Sequence, residues 1–247
     1  MTKTALFIML MAAPAILLAQ GRKISIGLML NNPVEDEHNP NTFFPDFQAV
    51  ANNMEVQNKS FSAGLVGALT KSESSTFRIR LGITQTNILE QSRSEYVEVE
   101  AKQFKFHFAP GILWHEVFEK FTITVGFEMP INYHGAKRYT SHYTATGSSE
   151  QTSDFRQFRI SDGFSTGFSA VTGFSYHLSE RFSLAAEFAP GLLYSKIGGK
   201  NTFRQRFLYP DGSTVIGREE RRDGDQQWLK YQQRFSFVIT YSFRRKS

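Results

Sequence analysis

Six ionisable side chains stand on the polar side of stretches whose other side is apolar: Arg78, Arg80, Lys105, His107, Glu128 and Glu187. Cations beside carboxylates can do two kinds of work. In an open site they hold and polarise an anion. In a closed site they neutralise each other, because an isolated buried charge is too costly to keep. A second pattern is His177-Leu178-Ser179, where an imidazole could act as base to a serine nucleophile. Glu35, Asp36, Glu37 and His38 could offer oxygens and a ring nitrogen to a cation, although Pro33 and Pro40 bracket them in what reads as a solvated loop. Asp223-Gly224-Asp225 matches only a fragment of a calcium loop. No glycine-rich phosphate loop or metal-spaced pair of histidines stands out. No catalytic, cofactor-binding or metal-binding residue is therefore assigned. The six charges are read as a structural network in which Glu128 and Glu187 face Arg78, Arg80 or Lys105.

The elements that must position these residues are strands. Residues 76–88 put Phe77, Ile79, Leu81 and Ile83 opposite Arg78, Arg80, Gly82 and Thr84. Such period-two alternation belongs to extended backbone, whose successive side chains point to opposite faces. The same pattern recurs in residues 23–30, 59–69, 102–115, 121–133, 163–178, 182–195 and 228–243, which makes eight strands. The last carries Phe235, Phe237, Ile239, Tyr241 and Phe243 on one face. Residues 32–58, 89–100, 134–162 and 196–227 are polar and read as long connections. Short turns separate strands two and three, four and five, and six and seven. Within the final connection, residues 205–212 read as a small hairpin turning on Asp211-Gly212. Hairpin-sized repetition is visible too: Phe108-Ala-Pro-Gly111 returns as Phe188-Ala-Pro-Gly191.

Composition narrows the class. The 247 residues include 24 Phe, 9 Tyr and 2 Trp but no Cys, so disulfides, thiolate metal sites and cysteine nucleophiles are excluded. A mean hydropathy of −0.33 is too low for a helical membrane bundle. The net charge of +5 is scattered rather than gathered into a stripe, so no nucleic-acid partner is expected. Lys3 followed by an uncharged apolar run reads as a signal peptide over residues 1–19, leaving a barrel domain over 20–247.

Eight strands joined alternately by long and short connections predict an all-β, eight-stranded antiparallel up-and-down transmembrane β-barrel. The Phe-rich face is expected outward toward lipid and the Ser, Thr, Gly and charged face inward. Trp114, Tyr133, Tyr176, Tyr194, Trp228 and Tyr241 are expected to form interfacial girdles. An eight-stranded lumen is just wide enough to be filled by side chains, so it is expected to be plugged.

The signal peptide, the eight amphipathic strands, the turn phrase Tyr176-His-Leu-Ser-Glu-Arg-Phe182 and the late Phe243 together resemble small outer-membrane β-barrel proteins of the OmpA/OmpX-like or porin-family type. The phrasing is most similar to Bacteroidetes members. The resemblance implies a bacterial outer-membrane location and outer-membrane lipids as surroundings. It also implies insertion by the outer-membrane assembly machinery, which reads the aromatic final strand Phe235, Phe237, Ile239, Tyr241 and Phe243. Arg244-Arg-Lys-Ser247 extends past the terminal aromatic that the family pattern shows. A non-enzymatic structural or surface-interaction role follows, with an extracellular or envelope partner met through 32–58, 134–162 and 196–227. The His-x-Ser spacing at His177 and Ser179 is similar to that of barrel lipid A deacylases, which makes a lipid-modifying enzyme the alternative. A narrow porin or secretion-accessory barrel is a further one.

Overall fold

The computed structural model describes residues 23–32, 55–72, 74–92, 97–144 and 153–243. Residues 1–19, expected to be a signal peptide, Glu35 to His38 and the four residues after Phe243 lie outside this set. The described chain is all strand and turn, with no helix. The strands are β1 (Ile24–Asn31), β2 (Glu55–Asn58), β3 (Phe61–Ser72), β4 (Ser75–Ser92), β5 (Val97–Phe118), β6 (Phe121–Glu128), β7 (Ile131–His134), β8 (Lys137–Thr144), β9 (Ser153–Ile160), β10 (Gly163–His177), β11 (Phe182–Leu208) and β12 (Thr214–Phe243).

These twelve segments make eight staves. β2 and β3 are one stave, β6, β7 and β8 another, and β9 and β10 a third. Pro130, which has no N–H to give a ladder, marks the break between β6 and β7. Neighbouring staves pair antiparallel in chain order, and β12 returns to β1, with Ile24 opposite Phe243 and Asn31 opposite Ser236. The sheet is therefore a closed eight-stranded up-and-down barrel. Closure leaves no free edge along the paired wall.

The side chains are arranged inside out. Leu28 is 64% exposed, Phe127 60%, Phe168 72% and Phe237 69%, while Arg80 is wholly buried. On β11 the outward apolar series runs from Phe182 to Tyr194. That is about 40 Å along the strand, or roughly 30 Å of height at the tilt usual for such barrels. This height matches the hydrocarbon core of a bilayer.

The long polar connections are where the fold departs from the sequence-based expectation. Residues 137–144 and 153–160 are strands, and β11 and β12 continue as one hairpin to Leu208 and Thr214. Likewise β4 and β5 carry their ladder up to Ser92 and Val97, and residues 55–58 pair with β4. Only residues 209–213 form the turn of the last connection, with the Gly212 N–H donating to Tyr209 O and Gly212 at φ 80°. Polarity misleads here because the outward face above the apolar band meets water. The inward face keeps an apolar core among polar groups: Ala101, Tyr139, Phe158, Ile160, Ile197 and Phe203 form a buried cluster, packed by Ile88 and Trp228, while Lys137, Ser141, Asp154 and Asn201 are buried too. Trp228 thus belongs to this inner core and not to an interfacial girdle. Trp114, Tyr133 and Tyr194 do face outward, at 46%, 48% and 40% exposure.

The short-turn rim is clipped, as the alternation of connections predicts. Glu119 takes φ 47° in the two-residue turn between β5 and β6.

A charged lumen as the candidate functional site

Inward positions of five staves converge on one cluster. Arg78 and Arg80 come from β4, His107 from β5, Glu128 from β6, Glu187 from β11 and Arg234 from β12. Arg78 straddles the two carboxylates: its Nη2 lies 2.6 Å from Glu128 Oε1 and its Nη1 2.6 Å from Glu187 Oε1. Arg80 Nε is 2.8 Å from Glu128 Oε1, and Arg80 also pairs with Glu187. Arg234 Nη2 donates to Glu128 Oε2 at 2.5 Å. Three guanidinium groups therefore surround two carboxylates, all nearly shielded from water, with Arg80 and Glu128 completely so at the side chain. The carboxylates are committed to arginine and are not available as acids or bases.

Two local features let the glutamates enter the lumen. Glu128 is registered opposite Gly111, and Glu187 opposite Gly173. A Cβ on Gly111 would lie 2.6 Å from Glu128 Cγ, and one on Gly173 would lie 2.9 Å from Glu187 Cγ. Each glycine leaves the space that its neighbour's stem fills.

The network continues upward as a directed chain. Arginine can only donate, so His107 Nε2 accepts from Arg234 Nη1 at 2.6 Å, and its Nδ1–H then donates to Asn132 Oδ1. Asn132 Nδ2 donates to Ser165 Oγ at 2.9 Å, and Ser165 Oγ and His134 Nε2 share a further hydrogen bond at 2.9 Å. These groups and Lys105 border a cavity of about 50 Å³, space for a few waters. Lys105 is thus buried in the cavity wall. On either side the lumen holds apolar clusters, Met29 with Val66 and Val238, and Leu113 with Val171 and Ala189. Above lies the Tyr139, Phe158 and Phe203 cluster of the extension.

Arg234, Asn132 and Ser165 were not singled out from sequence. Arg234 had a signal, because it continues the inward series of Ser236 and Val238 two residues further back. The other patterns do not assemble. His177 Nε2 bonds Thr122 Oγ1 at 2.8 Å, while Ser179 Oγ accepts from the N–H groups of Arg181 and Phe182. Ser179 is turn chemistry, not a nucleophile held by His177. Asp225 pairs with Lys196 at 2.8 Å, which holds its carboxyl below the usual range, and Asp223 is registered across from Lys200. Among the described residues no cluster of acidic, His or Cys side chains could hold a metal ion. Of the final strand, Phe235, Phe237, Ile239 and Phe243 face outward and exposed, and Tyr241 packs between Phe182 and Phe243 at 4.9 and 4.8 Å.

Fold and site together define a membrane-type β-barrel, with an apolar outer band, ion pairs in the lumen and a polar-walled extension. No protein-family model matches the sequence, and no curated protein matches it. Among solved structures the chain is similar to a major outer membrane protein from Thermus thermophilus, at 11% identity over 90% of this chain and 99% of that one, TM-score 0.44. It is similar also to the outer membrane protein OprG from Pseudomonas aeruginosa, at 12% identity over 91% and 97%, TM-score 0.41. Neisserial surface protein A is similar at 10% identity over 90% and 97%, TM-score 0.34. The barrel assignment rests on the strand register, not on these likenesses.

Proposed function

We propose that this chain is a non-enzymatic barrel of the bacterial outer membrane that conducts nothing through its lumen and acts through the part that rises above the bilayer. The short-turn rim and both chain ends of the barrel face the periplasm, and the extension faces outward. The observation that carries this reading is the second core. Beyond Tyr194 and Leu229 the staves do not dissolve into loops but continue around Tyr139, Phe158, Phe203 and Trp228. From Ser195 to Leu208, β11 adds about 45 Å along the strand. Ordering that much backbone has a large entropic cost, which a packed inner core offsets and a mere connector would not need. The extension is a rigid platform that presents a hydrophilic outer wall to a partner at the cell surface. The outward face of Phe235, Phe237, Ile239, Tyr241 and Phe243 serves insertion by the assembly machinery.

The lumen fits this reading. Charge network, apolar clusters and aromatic cap occupy the lumen, which supports a non-conducting barrel over a porin or secretion conduit. The test is single-channel recording of the refolded barrel in planar bilayers. The expected record is flat baseline under an applied voltage of either sign. Discrete openings well above leak in most insertions would overturn the non-conducting role.

A further inference from the structure

The outer wall of the extension carries cations along one line of ladder partners on neighbouring strands. Lys102 of β5 is opposite Arg138 of β8, Arg138 is opposite Arg159 of β9, Arg159 is opposite Thr202 of β11, and Thr202 is opposite Arg221 of β12. The intervening residues Tyr139, Phe158 and Phe203 are buried, so this file points outward, and its four cations are exposed. With strands about 4.8 Å apart, it spans roughly 19 Å. Like charges placed directly opposite on adjacent strands are destabilising. Lys102 is drawn to Glu100 at 2.5 Å, but no ion pair joins Arg138, Arg159 or Arg221 to a carboxylate of the described residues. Arg138, Arg159 and Arg221 instead border a hollow of about 360 Å³, together with the pair Arg204 and Glu219.

The file has a definite place against the apolar band. Lys102 is two residues from outward Phe104, Arg138 is five from Tyr133, Arg159 is five from Phe164, and Arg221 is eight from Leu229. It starts at the edge of the band and climbs about 20 Å along the strand direction. A ligand that complements it carries negative charge both at the bilayer surface and above it.

We propose that this file binds the phosphate groups of an anionic membrane lipid with a bulky headgroup, taken from the leaflet on the extended-rim side. A guanidinium offers a planar fork that matches a phosphate, and a phosphate seated between Arg138 and Arg159 removes their mutual repulsion. The hollow takes the phosphorylated headgroup, and Phe104, Tyr133 and Phe164 border its acyl chains. This inference rests on the membrane reading above, because a lipid headgroup reaches the file only if the apolar band is in the bilayer.

The test uses the full barrel refolded into phosphatidylethanolamine vesicles containing either diphosphorylated lipid A or its dephosphorylated form. Bound lipid is counted by native mass spectrometry after detergent exchange. The barrel is expected to retain the phosphorylated lipid and to lose the dephosphorylated one. The double variant Arg138→Gln/Arg159→Gln is expected to retain it about five- to tenfold less well, the scale set by two exposed charge-assisted contacts. A charge-matched control at the opposite rim, Lys120→Gln/Arg181→Gln, is expected to retain it as the parent does. Equal retention of both lipids, or equal retention by the arginine double variant, overturns the proposal. So does displacement of the lipid by millimolar pyrophosphate or by heparin, which would mark a site for soluble anions. Failure of the parent to insert, seen as absence of heat-modifiable gel migration in either vesicle, would instead strike the membrane reading.

Discussion

Glu128 lies directly across the ladder from Gly111, and its Cγ occupies the space that a Cβ on that glycine would enter at 2.6 Å. Glu187 has the same relation to Gly173. Both carboxylates of the lumen thus pass over a residue with no side chain before they meet arginine. On their other flanks the glutamates are registered opposite small side chains, Ser169 for Glu128 and Ser236 for Glu187.

Gly111→Ala is therefore expected to destabilise the barrel by about 1–3 kcal/mol, the usual effect of overpacking. The added methyl would meet Phe127 O at 2.7 Å as well as the glutamate stem, and backbone cannot swing aside. Gly67→Ala is the matched control, since a Cβ there meets nothing within 4 Å. Its effect should stay within about 0.5 kcal/mol. Urea unfolding of vesicle-embedded protein, followed by tryptophan emission, measures both.

Glu128→Gln should be among the most damaging single changes in the lumen. It leaves Arg78, Arg80 and Arg234 facing an amide in a site closed to water, and breaking such a buried pair costs about 3–5 kcal/mol. Glu187→Gln should cost less, because Glu187 meets two arginines rather than three. Adding Arg234→Gln to Glu128→Gln should recover part of the loss, since it removes one uncompensated cation. Strict additivity of the two changes in the same unfolding assay would show that the groups do not act as a network.

The two tryptophans should report opposite surroundings. Trp114 is outward, 46% exposed, and edge-on to Phe127 at 6.2 Å, whereas Trp228 packs inward against the extension core. Brominated acyl chains should quench Trp114 and leave Trp228 bright. Trp114→Phe should remove nearly all the quenching, and Trp228→Phe should make the remaining emission more strongly quenched. Equal quenching of both residues would place Trp228 in the lipid after all.

Deleting residues 200–223 and joining Gly199 to Gly224, which are opposite one another in the register, should separate barrel from extension. Insertion and heat-modifiable migration should persist, because the outward series Phe182 to Tyr194 and Leu229 to Phe243 remain. β8 and β9 should become protease-sensitive, because Phe203 is lost from their core and β9 loses its partner on β11. Unchanged protection of β8 and β9 would mean that the extension does not depend on this hairpin.

Much of the barrel was legible in the alternation itself. Residues 76–88 show Phe77, Ile79, Leu81 and Ile83 against Arg78 and Arg80 without any knowledge of neighbours, because strand geometry sends successive side chains to opposite faces. Residues 137–144 and 153–160 were not legible as strands. Their outward positions are polar, as a loop's are, and the side-chain parity reverses near residues 135–136 and again near 161–162, so no single period runs through them. Trp228 was misplaced for a related reason. It lies on the inward series of β12, where the lumen changes from charged to aromatic, and nothing local marks that change.

The sequence alone determined eight amphipathic strands, the apolar outer face and the inward side of Arg78, Arg80, His107, Glu128 and Glu187, because each depends only on backbone period and residue type. Tertiary structure decided which of these charges meet. Residues 78, 128, 187 and 234 are brought together by ladder register and by the closure of β12 on β1, long-range pairings that no local pattern encodes. It also decided that the polar connections rise as a walled extension, because only the assembled ring brings Tyr139, Phe158, Phe203 and Trp228 close enough to exclude water.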